Sequence, residues 1–142
     1  MQVLLIPVDG SEYSARAIDY VARRVKSSSE PVRLHLLNVQ APIVTVNVKL
    51  FVSQESLQEY YREEGTKAIT PAAEQLKAHG LEATPHISVG DAGKIICDFA
   101  VEKAATEIVM GTHGRGALAG TLIGSVAQKT VHLSPVPVVL VK

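Results

Sequence analysis

The chain has no tryptophan, a single cysteine, and only two phenylalanines and four tyrosines among its 142 residues. With Cys97 alone an intramolecular disulfide is excluded, and its setting, Ile95-Ile96-Cys97, marks a buried apolar thiol rather than a reactive one. So few aromatics argue against a stacking platform for bases, and Tyr60 and Tyr61 read as core or dimer contacts. Net charge is missing too. Fourteen Lys and Arg offset fourteen Asp and Glu, so no overall field gathers nucleic acid or an anionic membrane, and any anion must be recognised locally. No apolar run reaches the roughly 18 residues needed to cross a bilayer, and Met1 to Val8 meets Asp9 without a basic leader. The expectation is a cytoplasmic protein with no nucleic-acid and no membrane partner. Carboxylates are also absent after Glu107, whereas Arg115, Lys129 and Lys142 follow it, leaving the last quarter locally cationic.

What is present is ordinary for a folded chain: 46% hydrophobic and 20% charged residues, at a length expected to form one domain over 1–142. Val3 to Val8 is a continuous apolar run stopped by Asp9-Gly10, as in a strand buried on both faces of a parallel sheet. Ser11 can cap a helix carrying Ala15, Ile18, Ala22 and Val25 at three- and four-residue spacing, with Arg23, Arg24 and Lys26 at its dipole-favoured end. Val32–Val39 predicts a second strand. Gln40–Val52 alternates at Val44, Val46, Val48 and Leu50, which fits either an extra edge strand or a long loop. Ser53–His79 predicts a helix ended by Gly80, either kinked at Pro71 or split near it. A strand over Thr84–Val89, a helix over Ala92–Lys103, a strand over Glu107–Met110, a helix from Ser125 and a strand over Val136–Val141 complete the pattern. Strict alternation of strand and helix predicts a doubly wound, Rossmann-like parallel sheet with helices on both faces.

Between the fourth strand and the last helix lie five glycines in fifteen residues: Gly111, Gly114, Gly116, Gly120 and Gly124, followed at once by Ser125. Glycine admits positive φ and close backbone approach, so such a loop can turn its N–H groups toward an anion. The free amides of Ser125, Val126 and Ala127 at the helix start, and the Ser125 hydroxyl, add to that attraction. Arg115 and His113 lie inside the loop, the latter either a phosphate donor or simply solvated. The loop leaves the same sheet edge as Pro7-Val8-Asp9; if the fourth strand pairs with the first, both flank a topological switch point, where open α/β sheets bind ligands. No G-x-x-x-x-G-K-[ST] run exists. Gly114-Arg115-Gly116 imitates a dinucleotide fingerprint, yet no acidic residue follows to hold a ribose, so NAD is disfavoured. Asp9 either orients a nucleoside or phosphate-bound Mg²⁺ or forms an Asx turn, roles that are compatible. His35, His79, His86 and His132 show no metal-ligand spacing.

Taken together, Gly111-x2-Gly114-x9-Gly124-Ser125, the first strand ending Pro7-Val8-Asp9-Gly10-Ser11 and the tail Ser134-Pro135-Val136-Pro137-Val138-Val139-Leu140-Val141 resemble the nucleotide-binding branch of the universal stress proteins. The resemblance covers nearly the whole chain. It implies a five-stranded parallel sheet of order 3-2-1-4-5, a homodimer made partly through the last strand, an unknown protein partner, and ATP, ADP or AMP across the switch point with Mg²⁺ held through the phosphates. It implies that Pro7, Val8 and Asp9 face the adenosine, Val39 and Met110 border the adenine, Gly111 approaches the ribose, and Gly114, Gly124, Ser125, Val126 and Ala127 surround the phosphates. Relatives that hold ATP often carry a hydroxyl where this chain has Ala127, a loss of about 1 kcal/mol that weakens rather than abolishes binding. Only Asp9, His113 and Arg115 are candidates for hydrolysis, in no recognisable arrangement, so at most a slow ATPase is expected. The alternative is a dimeric scaffold that needs no nucleotide.

Overall fold

A computed structural model describes residues 1–43, 52–116 and 120–142; the alternating stretch from Val44 to Leu50 lies outside the described residues. Along the chain run β1 (Gln2–Pro7), α1 (Glu12–Lys26), β2 (Val32–Gln40), α2 (Gln54–Ala78), β3 (Thr84–Val89), α3 (Ala92–Glu102), β4 (Glu107–Gly111), α4 (Ser125–Leu133) and β5 (Val138–Val141). The five strands form one parallel sheet in the order β3-β2-β1-β4-β5, as the alternation and the resemblance predict.

The apolar run of β1 is divided between two cores by the two-residue period of a strand. Leu4, Ile6 and Val8 pack with Ile18 and Val21 of α1 and Ile69, Ala72 and Leu76 of α2, whereas Val3 and Leu5 meet Ile96 and Ala100 of α3 and Ala127 of α4 on the opposite face. Each fully buried aliphatic side chain contributes about 1.5–3 kcal/mol, so both faces of this strand stabilise the fold. Ser11 caps α1 by accepting a hydrogen bond from the Ser14 amide. Cys97 is buried and donates to the Thr130 carbonyl, and burial pushes its thiol pKa up, as suits a structural thiol.

Pro71 does not split the long helix: α2 is continuous from Gln54 to Ala78 with the proline inside it. Its neighbours Ile69 and Ala72, with Leu76, are buried against the sheet, and this tertiary packing offsets the loss of one internal hydrogen bond. At the helix end Gly80 takes a φ of +75° while the Leu81 amide bonds to the Leu76 carbonyl, the left-handed stop its glycine predicts.

What positions the site is an asymmetry around β1. It pairs with β2 at six positions, from Gln2↔Val32 to Pro7↔Leu37, but with β4 at only two, Leu4↔Glu107 and Leu5↔Ile108. Beyond those rungs β1 and β4 part, and a cleft opens between their carboxyl ends.

On the α3 face of the sheet, toward its β3 edge, His35 Nδ1 and His86 Nε2 lie 2.9 Å apart, one ring donating and the other accepting, with His86 edge-on to Phe99. Burial lowers both pKa values below the usual 6.5; His86, Lys103 and Arg33 add to this at His35, and Lys103 outweighs Glu102 at His86. Because the unfolded imidazoles take up protons first, this contribution to stability is complete above pH 6.5 and is lost as pH falls through the folded values. The urea midpoint is therefore expected to fall between about pH 8 and about pH 5, and to fall less in the His35→Leu/His86→Leu double variant. An unchanged pH dependence in that variant contradicts the assignment.

Candidate functional site

The gap between β1 and β4 is the mouth of a cleft of about 1020 Å³, at the upper end of the ~300–1000 Å³ usual for small-molecule sites. All fourteen site residues named from the sequence line it: Pro7, Val8, Asp9, Val39, Met110, Gly111, His113, Gly114, Arg115, Gly116, Gly124, Ser125, Val126 and Ala127. They come from four separate stretches of chain, and the sheet order brings them together.

At one end lies the start of α4. Gly124 occupies the N-cap position, and the first backbone bond of the helix runs from the Gln128 amide to the Gly124 carbonyl. The amides of Ser125, Val126 and Ala127 have no acceptor among the described residues. Such N–H groups on a helix dipole, with the Ser125 hydroxyl beside them, attract negative charge.

At the other end the strand ladder leaves a second pair of backbone groups open. Leu37 gives its carbonyl to the Val8 amide and Gln40 gives its carbonyl to the Gly90 amide, so alternate residues of β2 face β1 and β3. Val39, in phase with Leu37, turns its N–H and C=O toward β1, which has ended at Pro7. The next rung, from the Val39 amide to the Val8 carbonyl, is not made. A donor and an acceptor thus stand side by side at the cleft wall, with the apolar side chains of Val39 and Met110 around them.

Asp9 ties the two lips of the cleft. Its Oδ1 accepts from the Ser11 amide and the Ser14 hydroxyl, both at 2.9 Å, and its Oδ2 accepts from the Arg115 amide at 3.0 Å. Burial works to raise the carboxyl pKa, but the bonds from Ser11, Ser14 and Arg115 together outweigh it and hold the group below its usual range. The Asx turn read from the sequence is present, and it reaches across to the glycine loop as well.

The glycines have different duties. A Cβ on Gly114 would sit 2.5 Å from Asp9 Oδ2, so glycine here is what lets the carboxylate reach the Arg115 amide. A Cβ on Gly111 would sit 2.7 Å from Tyr13 Cβ and 3.0 Å from the Tyr13 carbonyl oxygen. The resemblance implies the approach of a ribose at that position; its steric requirement in this structure comes from α1. His113 is half-buried and bonded at both ring nitrogens: Nε2–H donates to the Thr121 carbonyl at 2.6 Å, leaving Nδ1 to accept the Thr112 hydroxyl at 2.8 Å, and the ring lies 5.0 Å from that of Tyr13. Both nitrogens are used within the protein in this conformation. The Arg115 guanidinium lies against Gly10.

Asn38, Gly90, Asp91 and Thr121 also line the cleft, and sequence reasoning did not name them. The rule that flagged Asp9, an acid just past a strand's carboxyl end, applies equally to Asp91. The Asp91 carboxylate is paired with Lys129 of α4. Among the described residues no group of three or more His, Cys, Asp or Glu comes together to hold a metal. With Asp9 and Asp91 both engaged, a divalent cation fits here only as a companion of ligand phosphates.

Asp9→Ala leaves the Ser11 and Arg115 amides and the Ser14 hydroxyl without their acceptor and is expected to cost about 1–3 kcal/mol. Gly114→Ala breaks the same cross-tie by contact, so the double variant is expected to cost clearly less than the two separate losses added together, as read by urea unfolding. Full additivity contradicts a shared contact.

The profile of the Universal stress protein family matches residues 1–142. The chain is 30% identical to the universal stress protein MJ0531 of Methanocaldococcus jannaschii over 140 residues, covering 98% of this chain and 81% of the relative. Among solved structures, that of the protein MJ0577 superposes with a TM-score of 0.84 at 26% identity, covering 99% of this chain and 95% of the other. The universal stress protein of Archaeoglobus fulgidus in complex with dAMP shares the fold with a TM-score of 0.68 at 21% identity, over 100% of this chain and 98% of the other. A full-length profile match, a relative at this identity and a parallel sheet in the order 3-2-1-4-5 have one reading: the chain belongs to the universal stress protein family.

Proposed function

We propose that this protein is a nucleotide-responsive regulator of the stress-protein type that binds an adenine nucleotide in the cleft between β1 and β4. The observation that carries the reading is the pair of open backbone sites at its two ends. The unpaired amides of Ser125, Val126 and Ala127 suit a phosphate. The Val39 N–H and C=O suit the edge of adenine, whose N1 accepts and whose N6 amine donates. The dAMP held by the Archaeoglobus fulgidus relative supports the same ligand class.

ATP, with ADP and AMP as alternatives, is the nucleotide expected, with Mg²⁺ travelling on the phosphates. Asp9 and Ser14 then brace the nucleoside end, Gly124 and Ser125 the phosphate end. Hydrolysis is at most slow, because Asp9 already accepts three hydrogen bonds and both His113 nitrogens are bonded to protein, leaving neither poised to activate water. The outer edge of β5 supports a homodimer through that strand, since β5 closes the sheet order with no strand beyond it among the described residues. A cytoplasmic protein built as one domain over 1–142, with an as yet unidentified protein partner, completes the reading. Ala127, which offers no side-chain hydrogen bond, favours a second reading in which the dimer is a scaffold and needs no nucleotide.

AMP or ATP with Mg²⁺ is expected to raise the melting temperature, the stabilisation reaching about 2.7 kcal/mol at a hundredfold excess over Kd. Gly124→Val is expected to abolish the rise, since a Cβ there already meets the Thr112 carbonyl at 3.2 Å and His113 Cα at 3.3 Å. No shift at millimolar nucleotide would leave the scaffold reading standing.

A further inference from the structure

We propose that Asn38 is a positioning residue for base recognition: its side chain takes the Val8 carbonyl out of the strand ladder and so keeps the Val39 N–H open for the ligand. The inference rests on the nucleotide reading above and deepens it. Asn38 is a polar residue, 3% exposed, on the cleft wall. Its Nδ2 donates to the Val8 carbonyl at 2.8 Å, and its Oδ1 accepts from Gln40 Nε2 at 2.6 Å.

In the β1–β2 register, Pro7 pairs with Leu37, and one further step would set Val8 opposite Asn38. The Val8 amide does bond to the Leu37 carbonyl at 2.9 Å, which is half of that step. The other half of a parallel rung is the Val39 N–H to the Val8 carbonyl, and here the Asn38 amide stands in its place. The Val8 carbonyl decides which way the amide points: a flipped Asn38 would set Oδ1 against another acceptor, so Nδ2 faces Val8 and Oδ1 is left to accept from Gln40 Nε2. Side chain and ladder therefore compete for one acceptor, and the side chain's success leaves the Val39 N–H facing the cleft. Remove that competitor and the ladder can close by one rung, consuming the donor that adenine N1 would use.

AMP and IMP separate this role from a merely structural one, because IMP carries N1–H and has no acceptor for the Val39 amide at that position. Titration calorimetry is run on the unmutated protein, on Asn38→Ala and on Asn38→Leu, whose side chain is close in volume. The unmutated protein is expected to prefer AMP, and both variants to lose about tenfold in AMP affinity while IMP affinity moves by less than about twofold. Equal losses for the two ligands, or none, overturn the proposal.

Amide hydrogen exchange on the unmutated protein tests it without any variant. The Val39 N–H should exchange quickly in the free protein and slowly with AMP bound, while Leu37, inside the ladder, stays slow throughout. Protection of Val39 in the free protein overturns the role of Asn38 even if AMP binds. Failure of the unmutated protein to bind AMP rejects the nucleotide reading and this inference together.

Discussion

The site depends on a ladder that stops short. β1 stays hydrogen-bonded to β2 through Pro7 but leaves β4 after Leu5, and the Val39 backbone groups face the cleft because β1 has ended beside them. A parallel sheet makes such a place unavoidable. Crossovers from neighbouring strands that run to opposite faces must separate at the carboxyl edge, and polar groups exposed there are available to a ligand. In this chain one end of the cleft is a helix start and the other is the edge of β2, with apolar side chains among the lining between them. The Asp9 carboxylate, which lines the cleft, is committed to holding its walls together.

That commitment explains the glycine loop better than ligand approach alone. Gly114 admits the Asp9 carboxylate to the Arg115 amide, Gly111 admits Tyr13 of α1, and Gly124 lets the loop backbone at Thr112 and His113 pass close by. These three glycines make room for protein, whereas Gly116 and Gly120 have open space around them and take φ of +72° and +84°. His113, held between Thr112 and Thr121 over the Tyr13 ring, belongs to the same arrangement.

Much of this was legible in the chain itself. Continuous apolar runs broken by Asp9-Gly10 and by Gly111 place the strand ends, and the spacing from Gly111 to Ser125 places the helix start that faces them. What local patterns could not reveal depends on register and on contacts distant in sequence. Asn38 sits in an aliphatic run, Leu34 to Val39, and nothing in its neighbours tells that its amide meets Val8, thirty residues earlier. The duty of Gly111 is set by Tyr13 almost a hundred residues away, and the continuity of α2 across Pro71 is set by the sheet packed beneath it. Local chemistry pointed to the glycine loop and the end of β1, the resemblance added Val39 and Met110, and the topology brings them to one cleft.

The central claim is that two sets of open backbone groups, at Val39 and at Ser125 to Ala127, form the two ends of one ligand site. Amide-resolved NMR during titration with AMP tests it most directly. The account predicts that the largest shifts fall on both sets together and saturate at the same ligand concentration. Shifts confined to one end, or centred elsewhere on the protein, would contradict it.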